Sequence, residues 1–123
     1  MIYLASPYSH FDPKVREARF ELACEACAWL TRKGFLVYSP ICHWHPIAVR
    51  HQLPTDFGFW SDTDQVMIGV CSHYMILRID GWKTSLGIKA ELQIAINLEL
   101  DIAHLTKKKD GWNLCLNQNA TDS

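Results

Sequence analysis

The sequence has no long apolar run, no excess of one charge and no even set of cysteines. No stretch approaches the roughly 18 apolar residues that a membrane helix needs, and residues 1–9 lack the basic start and long apolar middle of a signal peptide. We therefore expect a cytoplasmic protein without a membrane partner. Its 12 basic and 13 acidic residues do not provide the broad positive surface that is typical of nucleic-acid binding, so we expect no nucleic-acid partner.

Five cysteines are an odd number, which favours reduced thiols over a disulfide framework. Cys24 and Cys27 form a C-x-x-C pattern. They lie deep inside a predicted helix, whereas a reactive thiol of this kind needs a helix N-terminus. We interpret them as small buried residues.

Strand and helix patterns alternate along the 123 residues, a length that suits one compact core. Apolar runs predict strands at 1–5, 35–40, 72–80 and 101–105, and helical spacing predicts helices at 12–34, 55–70 and 84–100. This alternation predicts an α/β domain over residues 1–105, with a parallel sheet of four to five strands and helices on both faces. We expect residues 41–54 to be irregular, and residues 106–123 to form a tail that is partly docked and partly disordered.

Glu91 breaks the pattern of its predicted helix. At about 100° per residue it falls among Gly87, Ile88 and Ala95 on the apolar side. An ionised carboxylate there is costly unless it is paired or hydrogen-bonded. Two interpretations stay open: a structural acid at the helix boundary or in a salt bridge, and a working carboxylate at the bottom of a pocket.

The helix over residues 55–70 carries two further acids. Asp62 and Asp64 are two positions apart, so they point in different directions and at most one faces inward; we prefer Asp64. Asp80 ends the third predicted strand, at the sheet edge where ligands of parallel sheets bind. It is placed either to meet a sugar hydroxyl or only to open a turn.

Ser85 and Gly87 precede Glu91 at the start of its helix, in the pattern S-x-G-x-x-x-E. A glycine and a hydroxyl at a helix N-terminus are typical of a site for an anion such as phosphate. An ordinary N-cap with a closely packed glycine explains the same residues.

Three histidines lie in the segment that we expect to be irregular. In an extended segment His43 and His45 point the same way, and His51 would be a third metal ligand. Substrate contact and simple loop polarity are the alternatives, and we expect no metal or other cofactor. Arg16 and Arg19 lie in the first two turns of the first helix, close enough to the strand ends to pair with phosphate or a buried carboxylate. The alternative, for at least one of them, is a place on a solvated helix face.

The segments "IYLASPYS" and "DGWKTSLGIKAELQIA" resemble the nucleoside deoxyribosyltransferase superfamily. That superfamily opens with a Tyr-x-Ala-x-Pro strand end and later has Ser/Asp-x-Gly-x-x-x-Glu. The segments "SPICHWHPIA" and "DFGFW" look more like a small, functionally uncharacterised bacterial and phage branch of it. The resemblance spans residues 1–105 and implies a flavodoxin-like three-layer α/β/α sandwich.

The resemblance implies an enzyme that acts on the N-glycosidic bond of a nucleoside or nucleotide. Glu91 would attack the sugar, and Asp64 would protonate the departing base. The resemblance implies that Ser6, Tyr8, Asp80, Ser85 and Gly87 contact the substrate. The candidates that come from the residues alone, and not from the resemblance, are Arg19, His43 and His45. The competing hypotheses are a non-catalytic nucleotide-binding module and, more weakly, a metal-dependent hydrolase built on His43, His45 and His51.

Active sites in that superfamily are commonly completed by a neighbouring subunit, so the resemblance also implies a homodimer or homotetramer. The sequence adds that Trp44, Trp82 and Trp112 lie in predicted loops, where an interface would use them.

Overall fold

The structure is a computed structural model, and it describes residues 1–116. The described strands are β1 (Ile2–Ala5), β2 (Val37–Tyr38), β3 (His73–Leu77), β4 (Asp101–Lys108) and β5 (Gly111–Leu116). The described helices are α1 (Pro13–Arg32), α2 (Pro40–His51), α3 (Phe57–Gly69) and α4 (Leu86–Asn97), with a 3-10 turn at Trp82–Thr84. The α/β prediction is confirmed.

Short polar side chains begin the helices. Asp12 accepts a hydrogen bond from Lys14 N, and Pro13 occupies the first helical position, where its missing N–H costs nothing. Asp56 accepts from Phe59 N at the start of α3, and Ser85 accepts from Ile88 N at the start of α4. These caps fix where each helix leaves the sheet edge.

The segment 41–54 was expected to be irregular, and this expectation is wrong for most of it. Ser39 accepts from Cys42 N and Pro40 begins α2, which continues through His51. Pro46 lies inside this helix, and an interior proline argued against a helix because it removes a backbone hydrogen bond. Burial of Ile41 and Ala48 against the rest of the protein offsets that loss.

The described strands form one sheet in the order β2-β1-β3-β4-β5. The pairs β1–β2, β1–β3 and β3–β4 are parallel, but β5 runs antiparallel to β4, so the prediction of a wholly parallel sheet is corrected. Lys108 pairs with Gly111, whose φ is +132°, and the Asp110–Gly111 dipeptide is a strong hairpin signal. The chain after residue 105 therefore contributes a strand, while the expected disorder of residues 117–123 lies outside the described part.

Helices cover both faces of the sheet, and each face has its own core. On one face, Leu4 and Leu77 pack with Ala26 and Leu30 of α1, and Trp112 of β5 is buried among them. The residues that form the core of the other face are Tyr3, Ala5, Tyr74 and Ile76 from the strands, Ile68 from α3, and Ile88 and Ala95 from α4. Within residues 1–116 no helix is long and apolar enough to cross a membrane.

Candidate functional site

A cavity of about 460 Å³ lies beyond the carboxyl ends of β1, β2 and β3. Its walls come from the segment after β1, from α2, from α3 with the residues just before it, and from the segment between β3 and α4. The predicted site residues that line it are Ser6, Tyr8, Arg19, His45, Asp64, Ser85, Gly87 and Glu91. His43 and Asp80 are exposed and do not line it.

Glu91 lies at the buried end of this cavity, with 6% of its surface exposed. Tyr3 Oη donates a hydrogen bond to Oε2 at 2.8 Å, and Tyr74 Oη shares its one hydrogen between Oε1 at 3.4 Å and Ile88 O at 3.3 Å. The two tyrosines come from the adjacent strands β1 and β3, and their rings stack with centroids 5.7 Å apart. Glu91 is therefore neither at a wet boundary nor held by an arginine, and the pocket interpretation fits its position.

Asp64 is the inward acid of α3, as expected, with 6% of its surface exposed, whereas Asp62 is exposed. Among the described residues Asp64 Oδ1 is buried and has no hydrogen-bond partner. A buried, unpaired carboxylate oxygen is expensive. Its position at the cavity makes it available to a ligand.

The two acids perturb each other. Burial raises the pKa of Glu91 well above its ordinary value, and the neighbouring Asp64 carboxyl raises it further, while the hydroxyls of Tyr3 and Tyr74 act in the opposite direction. Burial also raises the pKa of Asp64. Two such carboxyls side by side share a proton, because both cannot be ionised cheaply.

The tyrosine hydroxyls stay protonated in this setting. Burial, followed by the charge of Glu91, raises the pKa of both Tyr3 and Tyr74. Both therefore remain hydrogen-bond donors toward Glu91 and stabilise its ionised form. The Tyr-x-Ala-x-Pro motif contains Tyr3, but no local pattern indicates that its side chain reaches Glu91, and no pattern singles out Tyr74.

Ser85 and Gly87 have the ordinary capping role that the sequence left open. Ser85 Oγ accepts from Ile88 N at 3.2 Å, so one of the free N–H groups expected for an anion is already used. A methyl group added at Gly87 would lie 3.2 Å from the Phe57 ring. Gly87 thus allows Phe57 to pack over the start of α4.

Arg19 joins two segments of the cavity wall. Its Nη1 donates to Ser9 O at 3.1 Å and more weakly to Tyr8 O at 3.4 Å. Its guanidinium also lies directly against Gly81, whose φ is +95°. Any side chain at Gly81 would displace the arginine.

His45 is buried, with 4% of its surface exposed. Its Nδ1 lies 2.6 Å from Tyr8 Oη, and its Nε2 lies 2.8 Å from Glu17 Oε1. The Phe20 ring stacks on it at 4.5 Å. The sequence did not indicate Glu17, because it pairs with a residue 28 positions away on another helix.

The expectation that His43 and His45 point the same way is wrong, because in the helix α2 residues two apart project about 200° from each other. Residues 1–116 contain no group of three or more histidine, cysteine, aspartate or glutamate side chains placed to hold a metal ion. The described part of the chain gives the metal-site hypothesis no geometric basis.

Aromatic rings form part of the cavity wall. Trp44 and Trp60 line it with ring centroids 4.5 Å apart, and Phe57 lies on the same wall. Trp44 is thus part of a helix and of the cavity, and Trp112 is buried in β5, so neither is the loop residue that we expected. Aromatic walls of this kind suit a flat ring such as a nucleobase.

Fold and site together define an α/β protein with a buried pair of carboxyls in an aromatic-walled cavity at the carboxyl ends of its strands. The chain belongs to the family described as a domain of unknown function, DUF1937, whose model matches residues 1–105. The match therefore includes every residue that lines the cavity and ends within β4. No curated protein matches the sequence.

Proposed function

We propose that this protein is an enzyme that breaks the N-glycosidic bond of a nucleoside or nucleotide, by hydrolysis or by transfer of the sugar to another base. The observation that carries this proposal is the Glu91–Asp64 pair. It places a buried carboxylate, held by two tyrosine hydroxyls, beside a second acid with a free oxygen. Two acids on one cavity are what glycoside chemistry requires.

The resemblance to the nucleoside deoxyribosyltransferase superfamily agrees with this chemistry. The strand order β2-β1-β3-β4-β5 is the order of flavodoxin-like domains, and helices cover both sheet faces. The antiparallel β5 is a departure at the sheet edge, away from the cavity. We therefore propose a flavodoxin-like sandwich with a modified edge.

In the first step Glu91 attacks the anomeric carbon of the sugar. The carbon–nitrogen bond breaks, the base leaves with the electron pair, and Asp64 gives it a proton. The product is a sugar ester of Glu91 and a free base. In the second step water, or a nitrogen of another base, attacks the same carbon, Asp64 takes its proton, and Glu91 leaves as a carboxylate.

This sequence needs Glu91 ionised and Asp64 protonated at the start. The one proton shared by the pair satisfies both needs if it lies on Asp64. Within the pair, the contact between the two carboxyls acts to raise the pKa of Glu91 and to lower that of Asp64, which favours the proton on Glu91. The hydroxyls of Tyr3 and Tyr74 lower the pKa of Glu91 and oppose this. The mechanism therefore requires the proton to pass from Glu91 to Asp64 when the substrate binds. Trp44, Trp60 and Phe57 offer the base an apolar, flat surface.

The test is release of free base. Purified protein is incubated with the four deoxynucleosides and their 5'-monophosphates, and free base is separated by chromatography. Release by the wild type that is lost in Glu91→Ala supports the proposal. Binding without turnover that is unchanged in Glu91→Ala would point to the non-catalytic module, and activity lost to a chelator and restored by zinc would point to the metal-dependent hydrolase.

We also propose that the chain forms a homodimer or homotetramer. Phe59, Val66 and Val70 of α3 and its C-cap are 50%, 67% and 67% exposed, and at spacings of seven and four they share one outer side of the helix. Light scattering after size exclusion tests this: the wild type should have at least twice the monomer mass, and Val66→Asp should lower it. A monomeric wild type contradicts it.

A further inference from the structure

The hydrogen bonds of Tyr8, His45 and Glu17 run from the cavity to the protein surface. Tyr8 and His45 line the cavity, while Glu17 does not and is 54% exposed. The two contacts that His45 makes, 2.6 Å to Tyr8 and 2.8 Å to Glu17, use both nitrogens of its ring. The proposed reaction does not need this series of hydrogen bonds.

When the His45 ring is neutral, the hydrogen bonds of Tyr8, His45 and Glu17 have one direction. The Glu17 carboxylate only accepts, so it requires a hydrogen on His45 Nε2. In a neutral ring Nδ1 is then an acceptor, so Tyr8 must donate its hydroxyl hydrogen to it. Tyr8 therefore has no hydrogen left for a ligand and faces the cavity with an oxygen that accepts.

The electrostatics near Tyr8 agree with this direction. Burial raises the pKa of Tyr8, and the nearby Arg16 guanidinium opposes that rise. A guanidinium only donates, so it too is compatible with a Tyr8 oxygen that accepts. A ligand group opposite Tyr8 must carry its own hydrogen, as a hydroxyl does and a fully ionised phosphate does not.

The charge of the cavity wall is a second, independent observation. Within residues 1–116, its lining contains three acids, Asp56, Asp64 and Glu91, and one arginine, Arg19, together with two histidines. Even with one proton shared by the Asp64–Glu91 pair, the carboxylates outnumber the guanidinium. The free N–H groups expected for phosphate near Ser85 are reduced by its cap. Such a wall repels a doubly charged phosphate.

We propose that Tyr8, held in place by His45 and Glu17, is a specificity-determining residue that accepts a hydrogen bond from a hydroxyl of an uncharged nucleoside and disfavours a 5'-phosphate. This inference rests on the proposed function and narrows its substrate class. Glu17 is a positioning residue, since it acts on the ligand only through His45 and Tyr8.

Glu17→Gln allows these hydrogen bonds to reverse direction without changing the cavity wall. The amide of glutamine can donate to His45 Nε2, which moves the ring hydrogen to Nδ1 and makes the ring donate to Tyr8 Oη. The Tyr8 hydroxyl hydrogen is then free to bind an acceptor such as phosphate. Glu21→Gln is the matched control, because it removes the same charge one turn along α1 from an exposed position that has no contact with His45.

The experiment measures binding by calorimetry at pH 8, in protein carrying Glu91→Gln so that the ligand is not consumed. The deoxynucleoside should bind at least tenfold more tightly than its 5'-monophosphate. Glu17→Gln should lower that ratio by about tenfold, which is the scale of one hydrogen bond, and Glu21→Gln should leave it unchanged. Tyr8→Phe should weaken nucleoside binding more than monophosphate binding.

Nitrogen NMR of the His45 ring provides a readout that needs no ligand. The parent at pH 8 should carry the ring hydrogen on Nε2, and Glu17→Gln should populate the form that carries it on Nδ1. Two results would contradict this inference while leaving the proposed function intact: an affinity ratio that Glu17→Gln does not change, or tighter binding of the monophosphate in the parent. If no nucleoside or nucleotide binds, both the inference and the proposed function are contradicted.

Discussion

The two ends of the cavity differ in whether their buried polar groups have hydrogen-bond partners. At the carboxylate end, Glu91 and Asp64 are buried together without a cation, and Asp64 Oδ1 has no partner among the described residues. At the histidine end, the Tyr8, His45 and Glu17 side chains satisfy one another in a single chain. A buried polar group without a hydrogen-bond partner costs stability but is available for chemistry, whereas side chains that hydrogen-bond to one another hold each other in a fixed orientation. This difference is why we propose that the first end carries out the reaction and that the second end selects the substrate.

Glu91→Gln should break the carboxylate end most severely. The amide keeps the shape of the side chain but cannot attack the sugar, so we expect base release to fall by at least about 10³-fold. Initial rates of base release measure it. The control is Glu21→Gln, which removes a charge from the exposed side of α1 and should retain the wild-type rate. An active Glu91→Gln would show that Glu91 is not the nucleophile.

Asp64→Asn should cost about 10²- to 10⁴-fold in base release, the usual range for one acid–base group. The loss should depend on the leaving group, because a base that already carries a positive charge needs no proton. A 7-methylated purine deoxynucleoside should therefore recover much of the rate. Equal losses for the methylated and ordinary substrates would mean that Asp64 does not protonate the base.

The two tyrosines sharpen the comparison within the carboxylate end. Tyr3→Phe removes the 2.8 Å hydrogen bond to Glu91, and Tyr74→Phe removes the 3.4 Å one. We expect losses of about tenfold and about twofold in kcat/KM, in that order. The pH profile should also shift, since the pKa of Glu91 rises when a donor is lost. Equal effects, or no shift in the profile, would contradict the hydrogen-bond pattern.

The smallest effect concerns stability. Folding raises the pKa of Glu91 above its ordinary value of 4.5. The contribution of Glu91 to the free energy of unfolding is therefore complete below pH 4.5 and is lost as the pH rises through the raised pKa. Between pH 5 and 8 the free energy of unfolding of the wild type should fall by about 1 kcal/mol or more relative to that of Glu91→Gln. Chemical denaturation of both proteins at each pH measures the difference. A constant difference across this window would contradict the raised pKa.

The carboxylate end was largely predictable from the sequence, and the histidine end was not. Helical periodicity alone places Glu91 on an apolar face, and a spacing of two separates Asp64 from Asp62. Both are local properties of one helix. The contact of His45 with Glu17 depends on α2 being a helix and on how α2 packs against α1, which no local pattern contains.

The fold, like the site, was predicted where it depends on local patterns and missed where it depends on contacts between distant segments. The alternation of strands and helices predicted the α/β architecture, and the caps at Asp12 and Ser85 predicted helix starts. The hairpin to β5 was missed although Asp110–Gly111 is a turn signal, because the apolar residues after it were interpreted as a docked tail and not as an alternating strand. Tyr3 and Tyr74 were missed as partners of Glu91, because strand residues meet only through the register of β1 on β3.

The most direct test of the account is to trap the sugar on the protein. A deoxynucleoside with fluorine at the 2' position slows the second step more than the first, so a covalent sugar ester should accumulate. Mass spectrometry of the digested protein should then find the mass of one fluorinated sugar on the peptide that contains Glu91. Base release with no adduct on that peptide, or an adduct that persists in Glu91→Gln, would contradict the central claim that Glu91 attacks the sugar.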